Sequence, residues 1–291
     1  MNKNINDNIH PASLVNINNQ TLVNINNQTH EPTAFLLENN TIIEKYNISL
    51  FFAQELRQLE SYEICIICDD SGSMCIPVKN LNNSFETRWS EAQTSLKIIT
   101  DIASMFDSSG IDIYYLNRPP ITNVFRSEEL NNYRHFHDHP NGFTPLGETI
   151  QKVLEEKKSC ERNLLLIIFT DGQPNNLKLF MNVLENRKPI DKIFISIVAC
   201  TDDQSCVGYL NNLDKQIKNL YISGNFNSEK QQIQKVQGSK FTFTFGDYIT
   251  KILLGSSNQN IDKLDEVKLS ERQLNTLKNH GNKKKQSCVI C

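Results

Sequence analysis

Two apolar runs of strand length, each ending abruptly in an acidic turn, constrain the fold of this 291-residue chain more than any other feature. The first run is Tyr62–Cys68, directly followed by Asp69, and the second is Asn163–Phe169, directly followed by Thr170 and Asp171. Continuous apolar runs without alternation are typical of strands that are buried on both faces, as in parallel sheets. Both acidic turns therefore follow buried strands.

Helical patterns separate these two runs from further short apolar runs. The predicted order is strand 62–68, helix 89–106, strand 112–116, helix 146–154, strand 163–169, helix 177–186, strand 192–199, helix 207–217, strand 220–222 and helix 245–254. Strands that alternate with helices form βαβ units with right-handed crossovers. We therefore predict an α/β, Rossmann-like three-layer fold with a mostly parallel central sheet and helices on both faces. Such sheets bind ligands at the carboxyl ends of their strands, where both acidic turns fall.

Composition divides the chain into three parts. Residues 1–44 are rich in asparagine and contain a direct repeat, Ser13–Gln20 followed by Thr21–Gln28. We expect a disordered N-terminal arm there, because such polar tracts cannot bury enough apolar surface to offset the entropy of ordering. Residues 45–255 carry the folded domain, and residues 256–291 form a polar tether. We expect neither a signal peptide nor a membrane-spanning helix, because no apolar run is long enough.

Charge and cysteine usage restrict the partners and the compartment. Lys and Arg number 30 against 33 Asp and Glu, which gives a formal net charge of -3. Without a basic field, we do not expect nucleic acid as a partner. The eight cysteines lie mostly in strand-like runs and lack the spacing of a disulfide framework. We therefore expect reduced thiols and a cytoplasmic location.

The turn after the first strand has the composition of a metal site. Asp69, Ser71 and Ser73 form the pattern D-x-S-x-S, in which alternate residues can direct oxygens at one centre. A carboxylate and two hydroxyls suit Mg²⁺, Ca²⁺ or Mn²⁺ rather than Zn²⁺. Thr144, in a Gly-Phe-Thr-Pro loop, can add a third hydroxyl, and Asp171 can add a second carboxylate from another strand end.

This ordered set of five residues resembles the metal-ion-dependent adhesion site of the von Willebrand factor A domain family. The matching stretch runs from about Ser61 to Leu254, and Arg88-Trp89 with the strand GIDIYYLN resembles the intracellular eukaryotic branch of that family. The resemblance implies a Rossmann-like fold with a divalent ion at the carboxyl edge of the sheet. It also implies that the ion is coordinated by Asp69, Ser71, Ser73 and Thr144, with Asp171 acting directly or through water.

A cation held largely by neutral hydroxyls stays electrophilic and leaves a position for water or for an external carboxylate. We therefore predict a divalent-metal-dependent protein–protein interaction module, with Mg²⁺ (or Ca²⁺ or Mn²⁺) as the cofactor and an Asp or Glu of a partner protein completing the coordination. One alternative is a soluble scaffold whose metal is only structural. Another is a Mg²⁺-dependent phosphoester hydrolase. We do not expect an enzyme, because Ser71 stands where a phosphatase pattern needs a second aspartate and no phosphate-binding loop occurs.

The last four residues, Cys288 to Cys291, fit the C-a-a-X pattern for prenylation of Cys288, and a basic run, Lys283, Lys284 and Lys285, precedes them. A prenyl chain binds a bilayer weakly alone, and lysines near anionic lipids add to its affinity. We therefore expect a peripheral protein on the cytosolic face of a membrane. Cysteine at the X position leaves the choice between farnesyl and geranylgeranyl open, and a chance tail without lipid is the alternative.

Overall fold

The computed structural model describes residues 40–79, 85–271 and 273. The strands are β1 Tyr62–Cys68, β2 Pro77–Lys79, β3 Phe85–Thr87, β4 Ile111–Tyr115, β5 Ile121–Val124, β6 Asn163–Thr170, β7 Ile193–Ala199 and β8 Leu220–Ser223. The helices are α1 Asn40–Lys45, α2 Leu50–Glu55, α3 Arg88–Ala103, α4 Arg134–His137, α5 Leu146–Glu156, α6 Leu177–Asn186, α7 Gln204–Val207, α8 Leu213–Gln216, α9 Phe226–Gln237, α10 Phe245–Leu254 and α11 Gln259–Asp262. Short 3₁₀ segments lie at Leu56–Ser61, Gly72–Cys75, Ser127–Asn132, Ile190–Lys192, Gly208–Leu210 and Lys263–Asp265.

Six strands form one sheet in the order β5-β4-β1-β6-β7-β8. All neighbouring pairs are parallel except β4 and β5, which pair antiparallel at the edge. Strands β2 and β3 form a separate antiparallel hairpin. The predicted α/β fold with a mostly parallel sheet is therefore confirmed. Strand β5 was missed because only its first and last residues are buried, so its sequence carries no apolar run.

Helices cover both faces of the sheet, which gives three layers. Successive residues of β1 point into opposite cores, with Ile64 and Ile66 in one and Cys65 and Ile67 in the other. Helices α2, α3 and α10 contribute to the first core, and α5 and α6 contribute to the second. This double burial explains why the strand reads as one continuous apolar run.

The strand order reverses at β1, and this reversal positions the candidate site. The chain leaves β1 toward α3 on one face of the sheet, whereas it leaves β6 toward α6 on the other face. The turns after these two adjacent parallel strands therefore diverge. Such a divergence opens a crevice at the carboxyl edge, where ligands of open α/β sheets bind.

The folded part extends beyond both boundaries expected from the sequence. Helix α1 begins at Asn40, within the region 1–44 expected to be disordered, and Ile43 is buried in the core. At the other end, Ile261 and Leu264 are buried, although residues 256–291 were expected to form only a tether. Single apolar residues in polar surroundings carry no periodic pattern, so the sequence did not indicate either segment.

Two helices also differ from expectation. Helix α9 was not predicted, since only three of its twelve residues are buried. The helix expected over 207–217 is broken into α7, a 3₁₀ turn and α8, with Asn212 at a left-handed φ of 65° just before α8. Residues 1–39, the basic run Lys283, Lys284 and Lys285, and Cys288 lie outside the described residues. Within the described part of the chain, no helix combines the length and apolarity needed to cross a bilayer.

Candidate metal site

Parallel pairing of β1 with β6 places the two acidic turns side by side. Cys68 lies opposite Phe169 in the register, and the next backbone N–H, that of Asp69, donates to the Phe169 carbonyl at 2.9 Å. One residue further, the Thr170 hydroxyl donates to Oδ2 of Asp69 at 2.7 Å. The last residue of β6 therefore holds the first acidic residue after β1.

Hydrogen bonds join four of the five predicted metal ligands into one group. The backbone N–H of Ser71 donates to Oδ1 of Asp69 at 2.9 Å. The hydroxyl oxygens of Ser71 and Ser73 lie 3.1 Å apart, and the Ser73 hydroxyl donates to Oδ1 of Asp171 at 2.7 Å. The structure thus brings together two carboxylates and two hydroxyls from two strand ends.

Thr144, the fifth predicted ligand, lies on a third loop that contacts both turns through its backbone. The N–H of Gly72 donates to the carbonyl of Gly142 at 3.3 Å, and the N–H of Asn175 donates to the carbonyl of Thr144 at 3.0 Å. Thr144 itself is half-buried. These bonds place the loop beside the four hydrogen-bonded ligands. Thr144 is positioned there through its main chain.

Asp70 and Asn117 position that third loop. From the sequence, Asp70 lies inside the D-x-S-x-S motif but off its ligand positions and is expected either to face solvent or to accept a hydrogen bond, whereas nothing singled out Asn117. Asp70 is fully buried and accepts from the backbone and side-chain nitrogens of Asn117 at 2.9 and 3.2 Å. The Asn117 amide then donates to the carbonyl of Phe143 at 2.8 Å. A Cβ on Gly142, whose φ is +121°, would lie 2.3 Å from the Asn117 side chain, so this close approach requires glycine.

Asp69 is a buried carboxylate that has no cationic partner among the residues that the structure describes. Its side chain is fully buried, and its pKa is raised to about 6, because burial and the charge of Asp171 raise it more than the bonds from Ser71 and Thr170 lower it. The donors to its oxygens among the described residues, the Ser71 N–H and the Thr170 hydroxyl, are neutral. A buried carboxylate with only neutral donors is stabilised by a nearby cation.

Asp171 differs because Arg88 supplies a charge. The Arg88 guanidinium donates to Oδ2 of Asp171 at 2.7 Å, while Oδ1 accepts from Ser73. Because the Ser73 proton is engaged by Asp171, the Ser71 hydroxyl donates to Ser73, and one lone pair of the Ser73 hydroxyl is left for another partner. Half-buried Ser73 and Thr144 form the side of the group that is open to solvent.

The donor set fits a hard divalent cation. It consists only of carboxylate and hydroxyl oxygens, which Mg²⁺, Ca²⁺ and Mn²⁺ prefer. Asp69, Ser71 and Ser73 would hold the ion, with Asp171 orienting Ser73. A bound ion would supply the missing positive charge beside Asp69 and a Lewis-acidic position toward solvent.

A second acidic group lies at the amino edge of the same sheet. Ligand atoms of Glu63, Cys65 and Asp112 lie within 4.8 Å of one another. The Nζ of Lys157, however, lies 2.7 Å from a carboxylate oxygen of both Glu63 and Asp112. The chain already places a cation at the centre of this group, so we interpret it as an ion-pair network and not as a metal site.

A polar cavity of about 380 Å³ lies near the candidate site, at the ends of β7 and β8. Its lining includes Thr201, Asp202, Asp214 and Glu229. None of the five predicted ligands lines it. The candidate metal site is instead the group of side chains at the ends of β1 and β6.

Solved structures similar to this chain include the ArnB paralog VWA2 from Sulfolobus acidocaldarius, with 16% sequence identity and a TM-score of 0.29 over 67% of this chain and 44% of that one. The chain thus spans less than half of that protein. No family model and no curated protein matches the sequence. The function of this protein must therefore be inferred from the geometry of its own site.

Proposed function

We propose that this protein is a divalent-metal-dependent protein-binding module of the von Willebrand factor A type. Asp69, Ser71, Ser73 and Thr144 bind Mg²⁺, and Asp171 acts directly or through water. The observation that supports this proposal best is the hydrogen-bonded chain from Asp69 through Ser71 and Ser73 to Asp171. It joins oxygen donors from two separate strand ends at a crevice where the fold favours ligand binding.

Binding is favoured over catalysis by the kinds of side chain in the group. Among the described residues that hydrogen-bond to the four grouped ligands, none is a histidine, cysteine or lysine able to act as a nucleophile or a proton carrier. Neutral hydroxyls leave a bound ion electrophilic. An Asp or Glu from a partner protein then completes the coordination on the side open to solvent.

The test compares the wild-type chain with Asp69→Ala. The tagged full-length proteins are incubated with a cell lysate in Mg²⁺ or in EDTA, and captured proteins are identified by mass spectrometry. We expect a set of proteins that the wild type retains in Mg²⁺ and that is lost both in EDTA and with Asp69→Ala. Retention of the same proteins by Asp69→Ala would contradict the proposal.

The same samples separate the two alternatives. For a scaffold with a structural metal, EDTA lowers the melting temperature but leaves the captured proteins unchanged. A metal that binds only the folded state stabilises it in either case, so the melting shift alone does not distinguish them. For a phosphoester hydrolase, the wild type hydrolyses p-nitrophenyl phosphate in Mg²⁺ and Asp69→Ala does not.

We further propose that the module is held on the cytosolic face of a membrane by a prenyl group on Cys288 and by the basic run Lys283, Lys284 and Lys285. This holds for a protein whose chain ends at Cys291. Cell fractionation tests it: Cys288→Ser should move the protein from membrane to soluble fractions, and substitution of the three lysines should do so partly. An unchanged distribution of Cys288→Ser would remove the anchor from the proposal.

A further inference from the structure

Arg88 is the only cationic side chain that the structure bonds to the four grouped ligands, among the residues it describes. It is the first residue of α3 and is 6% exposed. One of its terminal nitrogens donates to Oδ2 of Asp171 at 2.7 Å, and the other donates to the Thr201 hydroxyl at 2.9 Å. The guanidinium therefore lies between the ends of β6 and β7, directly behind the candidate metal site.

The position of Arg88 determines the charge of the site. Asp69 and Asp171 contribute two negative charges when ionised, and Arg88 contributes one positive charge. A divalent ion added to these three groups gives a net charge of plus one, whereas the same site without Arg88 would be neutral. Among the other charges nearby, Asp70 is paired with Arg118 at 3.1 Å and the Asp203 carboxylate is exposed to solvent, whereas half-buried Glu91, one turn along α3 from Arg88, adds negative charge. Arg88 makes the site more positive by one unit charge whatever the total.

We infer that Arg88 tunes the ligand selectivity of the site: it weakens metal binding but makes the metal-loaded site select an anionic ligand. This inference rests on the proposed function, since it concerns the carboxylate that completes the metal coordination. Positive charge close to a divalent ion opposes binding of the ion and favours binding of an anion to it. Both effects are strong where burial limits solvent screening.

A purely structural role for Arg88 predicts a different pattern. If the guanidinium only braced the ends of β6 and β7, its removal would disorder the ligands and weaken both metal and anion binding. If it sets the charge, its removal strengthens metal binding while it weakens anion binding. The two roles thus predict opposite changes in metal affinity when Arg88 is removed.

The experiment uses the full chain and two substitutions. Arg88→Met removes the charge but keeps an unbranched apolar stem, and Arg88→Lys is the matched control that keeps the charge. Binding of Mn²⁺ alone is measured by calorimetry. Acetate is then titrated into the Mn²⁺-loaded proteins while water-proton relaxation reports displacement of water from the ion.

We expect Arg88→Met to bind Mn²⁺ about tenfold more tightly and acetate about tenfold more weakly than the wild type. Arg88→Lys should resemble the wild type in both. Equal or weaker Mn²⁺ binding by Arg88→Met would overturn the inference while leaving the proposed function intact. A wild type that does not bind Mn²⁺ at all would overturn both.

A measurement on the wild type keeps the inference testable if Arg88→Met fails to fold. Acetamide has the shape of acetate without its charge. A site with a net positive charge should bind acetate at least about tenfold more tightly than acetamide. Equal displacement of water by the two molecules would overturn the inference.

Discussion

Strand β1 has an acidic group at each end, and the two groups differ in what balances their charge. At the amino end, Glu63 and Asp112 share Lys157, and Arg162 contacts Glu63 and Asp107. At the carboxyl end, the described donors to Asp69 are neutral, and of the two aspartates in the candidate metal site Arg88 is bonded to Asp171. Each amino-edge carboxylate named here is thus bonded to a cationic side chain. At the carboxyl edge, Asp70 is bonded to Arg118 and Asp171 to Arg88, whereas Asp69 has no cationic partner among the residues that the structure describes. We interpret the first edge as structural and the second as a binding site.

The protonation behaviour of the two ends agrees with this difference. Burial opposes the charge of Lys157, yet the nearby Cys65 and hydrogen bonds to Asp112 and Glu63 raise its pKa above the ordinary value. Burial raises the pKa of Asp69 to about 6. The amino-edge lysine therefore holds its proton firmly, whereas the carboxyl-edge aspartate ionises less readily than a free one. A cation from solvent is needed only at the carboxyl edge.

The largest expected effect comes from breaking the amino-edge network. Lys157→Met leaves Glu63 and Asp112 without the lysine that bridges them, and removing one partner of a buried pair costs about 3–5 kcal/mol. Urea unfolding should show this loss equally in Mg²⁺ and in EDTA. The neighbouring Lys158→Met is the matched control, because Lys158 is 72% exposed and should change stability by less than about 0.5 kcal/mol. Equal effects of the two substitutions would contradict our interpretation of this edge.

The carboxyl edge should respond in the opposite way. Asp69→Asn removes a buried charge that has no cation, so we expect the metal-free protein to gain about 1 kcal/mol of stability. The same substitution should abolish stabilisation by Mg²⁺, which for the wild type reaches about 2.7 kcal/mol at a hundred times the dissociation constant. Thermal melts with and without Mg²⁺ measure both effects.

Asp203→Asn is the control for this prediction, since that carboxylate is exposed and Asn can also cap α7. It should keep the full Mg²⁺ response. If Asp69→Asn destabilised the metal-free protein as strongly as Lys157→Met, the two edges would be alike and the comparison would fail.

Sequence reasoning located the acidic group at the carboxyl edge of the sheet but not the one at the amino edge. Asp69 and Asp171 follow apolar runs, and the order of those runs places both at one edge of a parallel sheet. The contact between Lys157 and Glu63 joins residues 94 positions apart, and that between Arg88 and Asp171 joins residues 83 apart. No local pattern indicates such pairs, because charged residues are common in helices and turns. The burial that makes these pairs important exists only after folding.

The same limit applies to the loop that carries Thr144. Its position depends on the contact of Asp70 with Asn117, which are 47 residues apart. From the sequence, Asp70 could face solvent or accept a hydrogen bond. In the structure Asp70 is completely buried, which agrees with the role of hydrogen-bond acceptor. Asp70, which lies within the D-x-S-x-S motif, thus supports a loop that is distant in sequence. Hydrophobic periodicity cannot reveal such a contact.

The pH dependence of metal binding should sharpen the comparison. A carboxyl whose pKa is raised on folding binds its proton more tightly in the folded state, so the proton competes with the metal below about pH 6. We expect the Mn²⁺ affinity to be nearly constant between about pH 7 and 8 and to fall about fivefold from pH 6 to 5. Calorimetry across this range measures it. An affinity independent of pH would show that Asp69 does not bind the ion.

The smallest expected effect tests whether the third loop takes part. Thr144→Val keeps the shape of the side chain but removes its hydroxyl, and Thr144 is half-buried with its backbone bonded to Asn175. We expect an unchanged fold and a loss of about fivefold in Mn²⁺ affinity, which is about 1 kcal/mol for one ligand replaced by water. Thr149→Val, on the adjacent helix α5, is the control, since the Thr149 hydroxyl donates to the Pro145 carbonyl and should not affect the metal. If both variants bound Mn²⁺ like the wild type, the ion would be held by the turns after β1 and β6 alone, and the third loop would serve only to position the partner.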